Sequence, residues 1–328
     1  MAGSTTATSE QEHRVLTEAC GLLDRSERGK LALTGAGAVE FLNGQVTNEL
    51  AGLRPGEGVY AAFLTHKGKM LGDLRVLASG DDPGDAPTEL LLDTERVALQ
   101  PLFDMIRRFK VGYDVELHKR TLECSLISLI GPGAASVAGT EGLAGEEHAH
   151  GRVEVGGVPV RAVRTDVGVD LLLDATARDE VVSELVERGA AVVGEEAAEC
   201  LRIERGRPRY GAELDDSVIP QEAGLNERAV SFTKGCYVGQ ETVARLHYKG
   251  KPNRHLRGLL LSEPADPGAE LTFEGRPVGR LGSAAVSPQL GPIALSIVRR
   301  EAEPGSVVDA GRDGATAEVV ELPFPGAS

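Results

Sequence analysis

The most reactive side chain suggested by the sequence is the thiol of Cys236, in the segment SFTKGCYVGQETVARLHYKGK at residues 231–251. Cys236 lies between Gly235 and Gly239 and close to Lys234. Glycines permit positive φ and close backbone approach, and a neighbouring ammonium favours thiolate over thiol. The pattern predicts a turn that presents a nucleophile or a soft metal ligand to solvent. A tight turn into the following helix, with Cys236 only filling space, explains the same residues.

Basic residues cluster around this turn. Residues 227–257 contain seven Lys or Arg and two Glu, whereas the whole chain carries a net charge of −15 at pH 7. The local reversal predicts an anion-binding face, for the charged tail of a cofactor or for RNA phosphates. A solvated linker whose charges maintain solubility is the alternative. The acidic total excludes a general attraction to nucleic acid or anionic membranes.

Four further polar residues are candidates for cofactor binding or catalysis. Glu204 lies in an arginine-rich helical segment, RIERGRPRYG, together with Arg202. A carboxylate at this position can pair with the amidine-like edge of a pterin or with a neighbouring arginine. Asp73 in MLGDLRV and Asn43 in FLNGQVTNEL lie at a strand interior and at a turn. Such residues are commonly structural hydrogen-bond partners.

Composition and cysteine spacing narrow the class of protein. The chain has 328 residues, 41% of them hydrophobic and 26% charged, which predicts a globular protein of two or three domains. No apolar run reaches the length of a membrane span and the N-terminus lacks a signal-peptide pattern, so we expect a cytoplasmic protein with no membrane partner. The four cysteines form neither a CxxC pair nor a metal-ligand spacing with histidine. We therefore expect no disulfide scaffold and no metal site.

The elements that position these residues alternate between strands and single helices. Residues 1–12 are small and polar and predict a disordered N-terminus. Three strand-like runs between Val59 and Asp93 predict an antiparallel meander, and the periodicity of residues 95–109 predicts a helix that covers it. After KGKPNRH at 249–255, short apolar runs between Gly and Pro turns predict a small β barrel. The predicted fold class is α+β.

Five motifs are spread over most of the chain, between residues 41 and 300: FLNGQVTNEL, GKMLGDLRV, LRIERGRPRYGAELDDSVIPQEAGL, SFTKGCYVGQE and GRPVGRLGSAAVSPQLGPIALSIVRR. Together they resemble the YgfZ family, tetrahydrofolate-binding relatives of the glycine-cleavage aminomethyltransferase (T protein, GcvT). KGCYVGQE is specific to the YgfZ branch, because the T protein lacks the cysteine. The resemblance implies an aminomethyltransferase-like three-domain ring with folate in a central channel. We expect a folate-binding region at 13–248, with subdomains at 13–50 plus 140–248 and at 51–139, and the barrel at 255–325.

The resemblance also implies roles for individual residues. Cys236 is the functional thiol, and Glu204 is the carboxylate that contacts the pterin, beside Arg202. The other residues implied to shape the turn or to bind the cofactor are Lys234, Tyr237, Gln240 and Asn43. Asp73 matches one member of an Asp-Asp pair that helps to orient folate and the aminomethyl group in the T protein, and Gly72 stands in the place of the other. This replacement weakens the prediction of aminomethyl transfer.

These implications lead to one hypothesis and two alternatives. The leading hypothesis is a monomeric tetrahydrofolate-binding accessory protein, rather than an enzyme, that assists the assembly or repair of iron-sulfur clusters in client enzymes and so affects tRNA modification indirectly. Cys236 would bind iron transiently, undergo reversible oxidation or form a mixed disulfide with a client. The first alternative is a folate-dependent one-carbon transferase that acts on an amine through Asp73. The second is direct contact of the basic face with tRNA.

Overall fold

The computed structural model describes residues 8–80, 82–143, 145–311 and 314–325. The α-helices in these ranges are α1 (Ser9–Glu18), α2 (Ala38–Asn43), α3 (Leu99–Phe109), α4 (Ala134–Ala138), α5 (Arg178–Glu187), α6 (Glu195–Glu204), α7 (Asn226–Ala229) and α8 (Gln240–Lys249). The strands are β1 (Gly21–Asp24), β2 (Gly29–Thr34), β3 (Gly58–Leu64), β4 (Met70–Ser79), β5 (Glu89–Thr94), β6 (Glu116–Lys119), β7 (Cys124–Ile130), β8 (His150–Val155), β9 (Val158–Thr165), β10 (Gly168–Asp174), β11 (Ala191–Val192), β12 (Arg254–Leu261), β13 (Glu270–Phe273), β14 (Arg276–Ser287), β15 (Gly291–Arg299), β16 (Val307–Ala310) and β17 (Thr316–Val320).

The strands form two open sheets and one closed barrel. The six-stranded sheet has the order β11-β1-β7-β10-β9-β8, and the five-stranded sheet has the order β3-β4-β5-β2-β6. Apart from the parallel pair β1 and β11, neighbouring strands in the two open sheets are antiparallel. Largely antiparallel sheets with helices packed beside them define the α+β class, so the predicted fold class is confirmed.

The predicted meander is confirmed as β3, β4 and β5, with β4 paired to both neighbours. Helix α3 packs on this sheet through Leu102 and Ile106, which are fully buried in the same apolar core as strand residues such as Leu74. The α-helix begins at Leu99 rather than at residue 95, because residues 96–98 form a 3-10 turn. The helical periodicity therefore located the covering helix but not its first turn.

Two predictions need correction, one about disorder at the N-terminus and one about the subdomains to which two strands belong. Helix α1 occupies part of the predicted disordered segment, and a capping box between Thr8 and Gln11 starts it; residues 1–7 lie outside the described residues. We predicted that β2 shares a subdomain with residues 140–248, but it pairs with β5 and β6 in the five-stranded sheet. We predicted β7 within the subdomain at 51–139, but it joins the six-stranded sheet. Strand pairing depends on distant partners, which a local pattern does not reveal.

The predicted C-terminal barrel is confirmed, and it closes in the order β12-β15-β14-β13-β16-β17. Helix α6 packs against α1 on one side and against β14 and β15 of the barrel on another. Side chains of α6 can therefore contact both α1 and the barrel. Among the described residues, no helix is long and apolar enough to cross a membrane, and the cytoplasmic location stays a prediction.

Candidate functional site

A cavity of about 250 Å³ opens where the two open sheets meet α6, and we call it the Asp73 cavity. Polar side chains on its walls include Tyr60, Asp73, Arg75, Asp170, Glu199 and Arg202. A second cavity of about 740 Å³ adjoins it, because both are lined by Asp166, Val167, Leu201, Arg205 and Arg207. Sites for small organic ligands occupy roughly 300–1,000 Å³, so the two cavities together can hold a ligand of folate size.

Asp73 on β4 is the carboxyl group that distinguishes this cavity. Tyr60 Oη donates a 2.6 Å hydrogen bond to Asp73 Oδ2. Burial raises the pKa of Asp73 to about 6, although the hydrogen bond from Tyr60 favours the charged form. A carboxyl group with such a pKa changes protonation close to neutral pH, which suits it to hold or transfer a proton.

Gly72 explains why the chain lacks a pair of aspartates here. A Cβ at Gly72 would lie 2.5 Å from Phe63 Cζ and 2.7 Å from Ala98 Cβ, so a side chain has no room. Adjacent residues of a strand point to opposite faces of the sheet. A carboxylate at position 72 would therefore face the packed side of β4, away from the cavity that Asp73 faces.

A network of buried ion pairs lies beside this carboxyl group. Arg75 contacts Asp93 and Asp170 at 2.6 Å each, and Arg28 contacts Asp93 at 2.9 Å. Ser128 Oγ donates a 2.6 Å hydrogen bond to Asp170. Burial alone would raise the pKa of Asp93, but the two guanidinium groups hold it well below its usual range. The network therefore keeps a charged carboxylate in the interior.

The Cys236 turn, residues 231–240, has an exposed thiol and a buried lysine. Lys234 Nζ donates to three backbone carbonyls at 2.7, 3.0 and 2.6 Å, those of Asn43, Val46 and Asn48. Burial lowers the pKa of Lys234 to about 8, while the three acceptors favour its charged form. This ammonium group ties the turn to the chain that follows α2. The structure thus corrects the expectation of a cation directed at the thiol.

The other residues implied to bind the cofactor near the turn also make structural contacts. Tyr237 is buried in an apolar cluster. Gln240 Nε2 donates a 3.4 Å hydrogen bond to the Gly235 carbonyl, and Asn43 Oδ1 accepts a 2.8 Å hydrogen bond from the Leu50 N–H group. Like Lys234, these side chains line neither cavity. Their cofactor-binding role stays a prediction.

The predicted basic face is partly neutralised by carboxylates. Three of its arginines form ion pairs of 2.5, 2.8 and 3.0 Å, namely Arg228–Glu147, Arg254–Glu222 and Arg257–Glu321. The exposed cations of the segment are Arg245, Lys249 and Lys251. Three exposed cations form a smaller polyanion-binding surface than the seven counted in the sequence. Direct contact with tRNA stays a prediction.

Glu204 and Arg202, expected to act together at a pterin, have different neighbours. Arg202 lines the Asp73 cavity and pairs with Glu199 at 2.6 Å. Glu204 lines the adjoining cavity and is buried against His13 and Cys200. The pterin contact of Glu204 stays a prediction. A different carboxylate, Asp170, lines the cavity that Asp73 faces.

That carboxylate, Asp170, was missed from the sequence, as were Tyr60 and Arg75. Asp170 is on β10 and Asp73 is on β4, in different sheets, so no spacing links them. The one signal in the sequence is a charged residue inside an apolar strand, as in GVDLLLD and GDLRVLA. A buried charge is costly unless it is paired, so such residues mark sites where distant partners meet.

Comparison with known proteins agrees with this architecture. The family described as the GCVT N-terminal domain matches residues 3–234. An aminomethyltransferase of Synechococcus sp. is 32% identical over 88% of this chain and 82% of that protein, and one of Streptomyces avermitilis is 31% identical over 95% and 88%. The glycine cleavage system aminomethyltransferase T from Bartonella henselae, a crystal structure, matches with a TM-score of 0.84 at 24% identity over 97% of this chain and 90% of that one, which confirms the predicted fold. The chain therefore belongs to the GcvT family of aminomethyltransferase-like proteins.

Proposed function

We propose that the Asp73 cavity binds tetrahydrofolate. Two buried carboxylates from different sheets, Asp73 and Asp170, line it. A carboxylate can accept two parallel hydrogen bonds from the amino-pyrimidine edge of a pterin, as it does from a guanidinium group. Asp170 is held in place by Arg75 and Ser128, and we assign the pterin contact to it in preference to Glu204.

The boundary between the two cavities suits the acidic tail of this cofactor. Arg205 and Arg207 line both cavities. Arg207 pairs with Asp166 at 2.8 Å, whereas exposed Arg205 has no ion pair within the part of the chain that the structure describes. A guanidinium group binds a carboxylate through two hydrogen bonds. The pterin would thus lie near Asp170 and the glutamate tail near Arg205.

The role we propose is assistance in the assembly or repair of iron-sulfur clusters in client enzymes, with an indirect effect on tRNA modification. The observation that carries it is the exposed thiol of Cys236, presented by a turn whose neighbouring residues Lys234 and Tyr237 are buried. Thiolates are preferred ligands of iron in such clusters. One thiol is too few for a cluster, so a client or assembly partner supplies the remaining ligands. The KGCYVGQE motif supports a place in the YgfZ branch of the family.

Two measurements on the same variants test this role. Calorimetry reports tetrahydrofolate binding, and rescue of iron-sulfur enzyme activity in cells that lack the native gene reports function. We expect Cys236→Ser to bind tetrahydrofolate like the wild type, because Cys236 lines neither cavity, and to fail in rescue. Cys124→Ser, which changes a half-buried thiol elsewhere, is expected to bind and to rescue. Full rescue by Cys236→Ser would contradict the role of the thiol.

The cavity assignment has its own test. We expect Asp170→Asn to weaken tetrahydrofolate binding by about tenfold or more, because hydrogen bonds to a charged group contribute about 1.5–3 kcal/mol. Glu204→Gln is the matched control, since Glu204 lines only the adjoining cavity. Loss of binding in the control with unchanged binding in Asp170→Asn would move the pterin to Glu204.

Asp73 favours a second candidate function, a one-carbon transfer between folate and an amine. Bound tetrahydrofolate supplies the carrier of the one-carbon unit, and the chain supplies a carboxyl group whose pKa of about 6 lets it hold a proton at the reacting amine. The glycine at position 72 does not weaken this candidate, since a side chain there would face away from the cavity. Asp73→Asn would then abolish turnover while Cys236→Ser leaves it intact. Equal, measurable turnover of Asp73→Asn and the wild type would exclude Asp73 as the group that carries the transfer, and no turnover by the wild type would exclude the transferase.

A further inference from the structure

Three potential metal ligands meet where α1 packs on α6. His13 belongs to α1, and Cys200 and Glu204 lie one turn apart on α6. His13 Nε2 lies 2.8 Å from Glu204 Oε2, and Cys200 Sγ lies 3.7 Å from Glu204 Oε1. The three ligand atoms lie within 4.8 Å of one another, and the three residues are only 4%, 4% and 8% exposed.

These separations are close to those of a tetrahedral zinc site. Zinc bonds of about 2.0 Å to nitrogen and oxygen and about 2.3 Å to sulfur place nitrogen and oxygen ligands about 3.3 Å apart, and oxygen and sulfur ligands about 3.5 Å apart. The 2.8 Å separation of His13 Nε2 and Glu204 Oε2 is about half an ångström shorter than this nitrogen–oxygen value, and the other separations between the three ligand atoms are at most 4.8 Å. Side-chain movements of about an ångström would therefore place the three ligand atoms around one cation.

The adjoining cavity leaves room for a fourth ligand. His13 and Glu204 line this cavity, while Cys200 Sγ contacts the Val286 carbonyl of the barrel at 3.8 Å. Three protein ligands with one accessible position are typical of zinc sites that bind water or substrate, whereas structural sites use four protein ligands. The arrangement therefore favours an exchangeable position that faces the cavity.

We infer that His13, Cys200 and Glu204 form a binding site for a zinc-type divalent cation, with water or a small anion from the adjoining cavity as the fourth ligand. Binding displaces the proton of the Cys200 thiol to solvent, so one thiolate and one carboxylate balance the two positive charges. Imidazole and thiolate favour Zn²⁺ over Mg²⁺ and Ca²⁺, which prefer oxygen ligands. Neither Asp73 nor Cys236 takes part, so the site goes beyond the proposed function, and it shares the adjoining cavity with the proposed folate site.

Cysteine spacing predicted no metal site because the ligands of this site are not close together in the sequence. His13 and Cys200 lie in different helices, α1 and α6, that are far apart in the sequence, and no short motif contains both. The packing of α1 on α6 alone brings them together. Residue 13 also directly follows the segment whose composition predicted disorder.

Titration of the full-length, chelator-treated chain with Co²⁺ and then Zn²⁺ tests the site. A thiolate bound to Co²⁺ gives a charge-transfer absorption band, and Zn²⁺, which binds such ligands well, displaces Co²⁺. We expect one Co²⁺ per chain with this band, its loss on addition of Zn²⁺, and release of about one proton per cation in calorimetry repeated in two buffers. A chain without the band at saturating Co²⁺ would overturn the inference.

Variants assign the band to particular residues. Cys200→Ala is expected to abolish it. His13→Gln and Glu204→Gln are expected to weaken metal binding by more than about 100-fold, because loss of an outer hydrogen-bond partner alone costs about 10- to 100-fold. Cys124→Ser and Cys236→Ser are the controls and should keep the band. A band that disappears in Cys236→Ser would place the cation at the exposed thiol and overturn the site.

Thermal unfolding keeps the test decisive if one variant folds poorly. Ligands that bind only the folded state raise its melting temperature, so Zn²⁺ should stabilise the wild type and not Glu204→Gln. Equal stabilisation of both proteins by Zn²⁺ would show that the cation binds elsewhere. No stabilisation of either would leave His13, Cys200 and Glu204 as a hydrogen-bonded contact between two helices.

Discussion

Asp73, Arg75 and Asp170 at the Asp73 cavity are buried and are held by hydrogen bonds or ion pairs, whereas the reactive thiol at the Cys236 turn is exposed. Arg75 and Asp170 define the cavity through direct ion pairing. At the turn, Lys234 reaches inward to backbone carbonyls and leaves the thiol facing solvent. The cavity therefore suits a small ligand that is enclosed, and the turn suits a group on another macromolecule.

Two carboxylates near the cavity show how much the partner of a buried charge matters. Asp73 and Asp93 are both buried, yet the pKa of Asp73 is raised to about 6 and that of Asp93 is held well below its usual range. Asp93 is paired with guanidinium groups, and Asp73 accepts a hydrogen bond from neutral Tyr60. Burial alone therefore does not set the charge of a carboxyl group, and its cationic neighbours decide it.

The largest expected effect on stability comes from removing Arg75, which pairs with Asp93 and Asp170. Arg75→Ala should lower the free energy of unfolding by about 3–5 kcal/mol at neutral pH, because buried Asp170 loses its guanidinium partner and buried Asp93 keeps only Arg28. The native pKa of Asp93 is depressed, so its stabilisation is present above its unfolded pKa of about 3.9 and is lost as pH falls. Urea unfolding should thus show a deficit that begins to shrink as the pH falls below about 3.9. Arg178→Ala, at an exposed ion pair, should cost about 1 kcal/mol or less.

Substitution of Asp73 is expected to raise the free energy of unfolding at neutral pH. Its folded pKa of about 6 lies above the unfolded value, so ionisation costs stability as pH rises from about 4 to 6. Asp73→Asn removes that cost and should stabilise the protein by up to about 3 kcal/mol at neutral pH, with no gain below about pH 4. Chemical unfolding across this pH range measures the difference. A gain that persists at low pH would show that ionisation of Asp73 is not its cause.

A smaller difference in stability is expected between alanine variants of the two glycines in the Cys236 turn. Gly239 has φ +84°, and a Cβ there would lie 2.6 Å from the Thr65 carbonyl oxygen. We expect Gly239→Ala to cost about 1–3 kcal/mol through backbone strain. Gly235 does not have a positive φ, and a Cβ there would face open space, so Gly235→Ala is the matched control and should stay within about 0.5 kcal/mol. Equal unfolding midpoints for the two variants would contradict a fixed turn geometry.

The smallest effect on stability is expected at the thiol itself. Cys236→Ser changes an exposed side chain and should alter the free energy of unfolding by less than about 0.5 kcal/mol. Lys234→Met is the contrasting variant, since it removes a buried donor from three carbonyls and should cost at least about 1–3 kcal/mol. Thermal melts of both variants measure the contrast. A clear loss of stability in Cys236→Ser would indicate that the thiol fills space.

Local sequence patterns were sufficient to predict several elements of the fold. The meander and its helix were predicted because alternating or helical spacing of apolar residues sets which face is buried. The barrel was predicted from short apolar runs between Gly and Pro turns, and closure follows from strand pairing. Two interior strands, β2 and β7, were assigned to the wrong sheet, because they take their partners from distant parts of the chain.

By itself, the sequence determined the α+β class, the terminal barrel and the family resemblance, and it selected Cys236 and Asp73 as candidate site residues, all from neighbours in the chain. Tertiary structure decided which carboxylate joins Asp73, where the ammonium of Lys234 points and that His13 meets Cys200. The physical reason is that charge, burial and ligand geometry depend on distances of a few ångströms between residues far apart in sequence. Those distances exist only once the sheets and α6 have packed together.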